Sequence, residues 1–268
     1  MYELNKLNYN KIESMIDRKI SSNAFLSVID GYSPGTVFVD DLENPITALI
    51  WSKGVAGFGV AGNCFSEYFT MNFLPFVNDY LIPFLREQGH TRFEVNCVNE
   101  ALNHSFSELI SAKNPDKWNQ NLYAYDNFNQ GYHNCKCDKK AYIVNSELLE
   151  SQVNTNLIKE TITQYWDSLD EFFLHGIGYC CLEDNTAVSL SYTSFISDSF
   201  HEIGIETLEC YRKKGYAYIA SRSVLDEVIS RGKVPFWECS ADNIASAKTA
   251  EKLGFRKKLV YTCFGFDI

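Results

Sequence analysis

The sequence has no apolar run approaching the ~20 residues that a membrane-spanning helix needs. Its first ten residues, MYELNKLNYN, lack the basic-then-apolar order of a secretory signal. A cytoplasmic protein with no membrane partner is therefore expected. Positive charge is also scarce. Lys and Arg number 24 against 34 Asp and Glu, a net of −10 at pH 7, which argues against nucleic acid as the main partner. Proline is rare, 6 residues in all, and no low-complexity linker divides the chain. Nine cysteines are present, and without an export signal they read as reduced thiols rather than a disulfide framework.

Aromatic residues are plentiful at 15%, which implies well-filled cores and aromatic-lined pockets. The 268 residues suffice for one large domain or two of roughly 130 each. Charge is spread unevenly. Residues 1–138 carry 10 basic and 16 acidic side chains, residues 139–211 carry 3 and 12, and residues 212–268 carry 11 and 6. The sign changes at Arg212, so a segment suited to anions follows one suited to cations.

The order of elements repeats loosely. In the first half, Thr36–Asp40 and Ile46–Trp51 are β-branched runs split by the turn signal DLENP, and GVAGFGVAGN is compatible with a short strand. Apolar spacing predicts helix from Glu67 to Gln88, kinked or doubled by Pro75 and Pro83. Arg92–Val98 reads as a strand, Ala101–Ala112 as a helix and NLYAYD as a strand. In the second half, strand Ala141–Asn145 precedes one amphipathic helix, Leu157–Phe173. A hairpin follows across EDNT, then strand His201–Leu208, helix Ala217–Arg231, strand PFWECS, helix Ala245–Leu253 and a closing strand. The reading is two mixed α/β modules, 1–138 and 139–268, joined near Cys137–Lys140. One continuous domain with a fortuitous likeness between halves is the alternative.

The most specific stretch is His201–Gly232: a strand, a short loop with Arg212, Lys213, Lys214 and Gly215, then a helix. The first turn of a helix has unpaired N–H groups and the positive end of the dipole, so it suits an anion. Gly215 lets the backbone approach a phosphate closely and Arg212 can add bidentate contacts, which makes a pyrophosphate cradle. It is neither a GxxxxGK[ST] nor a GxGxxG turn. The bland reading is a solvated basic loop before an ordinary helix. Trp237–Lys257 then places a strand, Asn243, Ser246 and a helix ending in LGF.

Together, RKKGYA (Arg212–Ala217) and NIASAKTAEKLGF (Asn243–Phe255) resemble the GNAT superfamily of acyl-CoA N-acyltransferases. The resemblance covers Asp198–Ile268 most specifically. The full-length layout is also similar to the GNAT branch that includes zwittermicin A resistance proteins. It implies an α/β fold with a mixed sheet, in which the strands HEIGIETL and PFWECS splay into a V. Acetyl-CoA would sit in the opening as cosubstrate, its pantetheine arm bonded to backbone near Ile205, Thr207 and Leu208. Its pyrophosphate would rest on N–H groups of Lys213, Lys214, Gly215, Tyr216 and Ala217, with Arg212 supporting the loop. Asn243 and Ser246 match positions that contact pantetheine and phosphates, although Asn243 also reads as a plain helix N-cap.

Acetyl transfer to an amine needs a neutral amine, a polarised thioester and a proton for the departing thiolate. A strand carboxylate can take the ammonium proton. Period-two geometry puts Glu202, Gly204 and Glu206 on one face, with the carboxylates roughly 13 Å apart by strand rise, too far to serve one atom. The resemblance favours Glu202 as base, with Glu206 nearer the cofactor loop; an exposed or ion-paired Glu is the bland reading of each. Many GNAT enzymes carry a Tyr seven residues after the helix Asn, whereas this chain has Ala250. The proton donor is then Tyr211, Tyr218, Tyr261, water, or absent. Cys239 could suggest an acyl-enzyme, but direct transfer is more economical and a structural Cys the plainer reading. His133, Cys135 and Cys137 have metal-capable side chains at a spacing too tight for a zinc site, and no metal is expected.

The first half has no counterpart of RKKGYA: GNCFSE (Gly62–Glu67) carries no basic side chain. It reads as a degenerate GNAT-like module forming one wall of the acceptor cleft. The leading expectation is an antibiotic resistance-like N-acetyltransferase with a small cationic acceptor: a polyamine, an aminoglycoside-like or aminopolyol compound, or an amino-acid derivative without a dominant carboxylate. A non-catalytic acyl-CoA sensor and an aminoacyl-tRNA-dependent transferase are the competing readings, the latter opposed by net charge. The sequence leaves the oligomeric state open, a homodimer among the options.

Overall fold

The computed structural model describes residues 1–18, 21–62, 64–97, 99–125, 139–151 and 153–268. The chain folds as two compact units, residues 1–120 with 260–268, and residues 121–259. A division after residue 138 would assign the last residues to the second unit; the closing strand instead returns 260–268 to the first. His133, Cys135 and Cys137, and with them the start of the expected joint, lie outside the described residues.

In the first unit, β1 (Tyr2–Leu4), β2 (Gly35–Val39), β3 (Thr47–Ser52) and β4 (Gly57–Gly62) pair antiparallel in succession. β4 then runs parallel to β5 (Arg92–Asn96) through Phe58↔Val95 and Gly59↔Asn96. Residues 263–267 of the closing strand lie antiparallel to β5. Helices α1 (Asn23–Ile29), α2 (Glu67–Phe76), α3 (Ile82–Glu87) and α4 (Glu100–Leu109) complete the unit. The expected kink between Glu67 and Gln88 is a wide turn at Val77–Leu81. Pro83 has no N–H for the carbonyl four residues back, and a wider turn relieves the mismatch. The aromatic surplus is spent here: Phe58, Phe69, Phe73, Phe93, Phe106 and Phe264 are all buried in one cluster.

In the second unit, β6 (Asp116–Tyr125) contributes its residues from 121, followed by β7 (Ala141–Ile143), α5 (Ser146–Glu150), α6 (Asn156–Tyr165) and α7 (Leu169–His175). The remaining elements are β8 (Gly178–Glu183), β9 (Thr186–Ile196), β10 (Phe200–Thr207), α8 (Tyr216–Ser230), β11 (Val234–Ser240), α9 (Ile244–Leu253) and β12 (Phe255–Asp267). Strand order is β7-β8-β9-β10-β11-β6-β12. β7 to β10 are antiparallel neighbours, while β10 and β11 are parallel, so the sheet is mixed, as expected.

The single helix expected over Leu157–Phe173 is two helices. Apolar spacing runs on through Trp166, but its buried indole donates to the Thr193 carbonyl at 3.0 Å, and Ser168 caps α7 by accepting from the Glu171 N–H. No described helix is long and apolar enough to cross a membrane.

Candidate active site

β10 and β11 pair only at Phe200↔Val234, His201↔Pro235 and Glu202↔Phe236. Beyond Glu202 they part, and at the same point β9 carries a bulge, with Ser194 as the extra residue between the pairs Glu202↔Phe195 and Ile203↔Thr193. Hydroxyls of Ser191 and Ser189 on β9 donate to the carbonyls of Gly204 and Glu206. By alternation, the backbone of Ile205 and Thr207 points to the other edge, the one β11 has left. That edge offers strand-type hydrogen bonds to an extended ligand. The Leu208 N–H faces β9 instead, donating to the Val188 carbonyl at 3.0 Å.

The loop after β10 has two left-handed residues, Lys213 at φ +61° and Gly215 at φ +88°. Such alternation builds concave N–H nests for anions. Arg212 braces the loop, its Nε donating to the Thr207 carbonyl at 3.1 Å. Tyr216 begins α8 with a buried side chain whose hydroxyl bonds Glu183, so only its backbone is available to the nest.

A cleft of ≈ 780 Å³ opens over this arrangement, lined by Ile205–Thr207, Tyr211–Lys213, Gly215–Tyr218, Asn243–Ser246, Lys248, Thr249 and Lys252. Of the expected cofactor residues, Leu208 and Lys214 are outside that wall; the Lys214 ammonium lies 4.9 Å from the Tyr211 ring centre. Asn243 is an N-cap, its side chain accepting from the Ser246 N–H at 3.1 Å, and it also faces the cleft. The Ser246 hydroxyl accepts from the Trp237 indole at 2.9 Å, which ties the cleft wall to the core. Ala250 is fully buried beside Val224 and Leu253, a packing position without a hydroxyl. Tyr211 and Tyr218 line the cleft; Tyr261 does not. Lys248 and Lys252 were not anticipated, although their i,i+4 spacing on a helix was a readable signal.

Glu202, Gly204 and Glu206 share a face of β10, as expected. Glu202 is buried at 7% exposure, and Ser194 Oγ lies 3.4 Å from its Oε1. Gly204 is required by close approach: a Cβ there would come 2.7 Å from the Tyr192 ring and 2.9 Å from its hydroxyl. Tyr192 is hydrogen-bonded to Tyr165 of α6, and burial holds both phenols above their ordinary pKa, as protonated hydroxyls beside the two carboxylates. Burial also raises the Glu206 carboxyl, against the lowering effect of Arg212. The Cys239 thiol is pushed up by burial, which disfavours the nucleophilic thiolate.

His201 occupies the opposite face. It is buried, its Nδ1 has no hydrogen-bond partner among the described residues, and burial together with Arg231 and Lys233 pushes its pKa down to about 4. The unfolded chain, near 6.5, binds the proton more readily. This contribution to stability is full above pH 6.5 and is lost as pH falls toward 4, amounting to about 3 kcal/mol. We expect Tm to fall steeply from pH 6.5 to 4, and less steeply in His201→Phe; parallel profiles for the two proteins would contradict the assignment.

Among the described residues no group of three His, Cys, Asp or Glu side chains is placed to hold a metal ion. Parallel strands that part beside a loop of left-handed residues, with carboxylates on the strand that leads into it, are the arrangement that the resemblance to acyltransferases implies for this mixed α/β protein. The chain belongs to the GNAT acetyltransferase family, whose model matches residues 13–264. It is 25% identical over 273 residues, 98% of each chain, to an uncharacterised N-acetyltransferase of Bacillus subtilis (strain 168), YdfB. In fold it is similar to a GCN5-related N-acetyltransferase-like protein from Streptococcus suis 89/1591, with TM-score 0.71, 18% identity, and 97% and 99% of the two chains covered. It is also similar to a tandem GNAT protein from the clavulanic acid biosynthesis pathway, with TM-score 0.60, 9% identity, and 99% and 97% covered.

Proposed function

We propose that this acetyltransferase moves the acetyl group of acetyl-CoA directly to the amine of a small cationic molecule in the cytoplasm. The observation that carries the reading is the cleft, where the strand edge left by β11 at Ile205–Thr207 adjoins the left-handed loop Lys213–Gly215. Glu202 takes the ammonium proton, the amine nitrogen attacks the thioester carbon, and the C–S bond breaks with the thiolate protonated by Tyr211, Tyr218 or water, the donor regaining a proton from the one the nitrogen sheds as the amide forms. The raised Cys239 thiol favours this route over an acyl-enzyme.

A non-catalytic acyl-CoA-binding role is the second reading, favoured by Ala250, where the helix offers no hydroxyl. Thiol release from acetyl-CoA with a panel of amines separates the two: release above the amine-free rate supports catalysis, and none with any amine favours the sensor. Acceptor charge is the finer prediction. Residues 139–211 carry 3 basic and 12 acidic side chains, and Glu202 and Glu206 share one strand face. Cationic amines should show the higher kcat/KM over matched anionic ones, with a gap that shrinks at high ionic strength. A preference for anionic acceptors, or no salt dependence, would overturn it.

We read the first unit as a GNAT-like module that has no cofactor site. Among the described residues its parallel pair β4/β5 joins at Phe58↔Val95 and Gly59↔Asn96, but the Phe25 ring packs on Gly59, where a Cβ would come within 2.6 Å of it. The adjoining cavity is ≈ 70 Å³ against ≈ 780 Å³ in the second unit. Calorimetric titration should accordingly count one coenzyme A per chain.

A further inference from the structure

Coenzyme A carries its negative charge in two places, the pyrophosphate bridge and the 3′-phosphate of the ribose. A nest of N–H groups at Lys213–Gly215 can serve one of them. Three other side chains of the cleft wall lie off that loop: Tyr218 on α8, and Lys248 and Lys252 on α9. We propose that Lys248 and Lys252, steadied by Tyr218, form a subsite for the 3′-phosphate, so that the protein selects coenzyme A over its dephospho form. The inference rests on the acetyl-CoA reading given above and adds a recognition element to it.

Lys248 and Lys252 are four residues apart on one helix, hence on one face, and both line the cleft. Among the described residues neither has a carboxylate within ion-pair distance. Three cations of the same unit are ion-paired, Arg222 with Asp226, Arg231 with Glu227 and Lys139 with Glu183, and its other described lysines are not, so what sets Lys248 and Lys252 apart is their shared place in the cleft wall. Two like charges one turn apart repel and weaken the helix that bears them. A phosphate monoester, close to a dianion at neutral pH, turns that repulsion into attraction when it binds between them. The Lys252 ammonium lies 4.6 Å from the Tyr218 ring centre, a cation–π contact that holds it toward the cleft. A helix C-terminus favours a cation at Lys252, but Lys248 lies a full turn earlier and gains little from the dipole. Glu206 is the single carboxylate in the cleft wall, and it sits on β10 with Arg212 opposing its charge.

The experiment is calorimetric titration of the full chain with coenzyme A and with 3′-dephospho-coenzyme A, in the wild type and in Lys248→Gln/Lys252→Gln. Wild type should bind the dephospho form about tenfold more weakly, the size of one charge-assisted phosphate contact. The double variant should lose about that factor for coenzyme A, change little for the dephospho form, and bind the two alike. Each single variant should close part of the gap, and thermal unfolding should confirm that all are folded. Equal wild-type affinities, or a double variant weakened equally for both ligands, would overturn the subsite while leaving the cleft assignment standing. Failure of folded wild type to bind either ligand would instead overturn the acetyl-CoA reading.

Discussion

Replacing Gly215 with valine is expected to raise the Kd for acetyl-CoA by roughly 30-fold or more, with the protein still folded. Gly215 sits at φ +88°, immediately before α8, in the loop that would receive the pyrophosphate. A β-branched residue is a strong outlier there, and forcing it costs about 2 kcal/mol. The loop escapes by turning φ negative, which redirects the N–H groups that form the nest. A Cβ at this position would meet nothing within 4 Å, so the protein itself supplies no steric block. The ranking among variants should therefore follow backbone preference rather than size. Gly215→Asn, which tolerates the left-handed region, should bind better than the smaller Gly215→Ala, and Gly215→Val worst. Calorimetry on the three variants, with Tm as the check on folding, tests the order. Wild-type affinity in Gly215→Val would remove the loop from the cofactor site, and a strict dependence on side-chain volume would replace strain by contact with the ligand.

The segment from His201 to Leu253 was legible in the sequence nearly to the residue because its signals are local. Strand alternation, the basic loop with Gly215, the Asn243 cap and the glycines that stop α8 and α9 each act within a few residues. The features that needed the structure depend on distant partners. Trp166 continues a helical pattern yet ends the helix, because its indole bonds to β9. Leu208 lies next to the free strand edge but gives its N–H to Val188. Tyr192 fits over β10 only because Gly204 leaves room, and no spacing in the sequence links the two. The return of residues 260–268 to the first unit is likewise a matter of which strands they pair with, and β5 lies more than 160 residues earlier. Most residues of the two motifs line one cleft, and Lys248, Thr249 and Lys252, which lie within the second motif but were given no role from it, face the same space.

Glu202→Gln should lower kcat by about 100-fold while leaving the affinity for acetyl-CoA nearly unchanged, as expected for a lost general base. Glu202 is the last residue of β10 that pairs with β11, and the β9 bulge comes at the same point, so its carboxylate stands where the strands begin to part. An acyl group carried down the free edge would reach the same point. Glutamine has the same shape, and the Ser194 hydroxyl 3.4 Å from Oε1 can still donate to an amide oxygen. The fold is thus kept and only the proton acceptor is removed. Glu206→Gln is the matched control: it shares the face, but it lies four residues on, roughly 13 Å along the strand, and lines the cofactor cleft. Its replacement should alter acetyl-CoA affinity more than kcat. The pH profile of kcat discriminates further, since loss of a base removes the acidic limb of the wild-type curve, whereas a purely structural defect lowers the curve without changing its shape. If Glu206→Gln alone slows turnover, the base is Glu206. If neither variant does, the amine arrives already neutral, and the face built from Glu202, Gly204 and Glu206 serves to attract the cation rather than to deprotonate it.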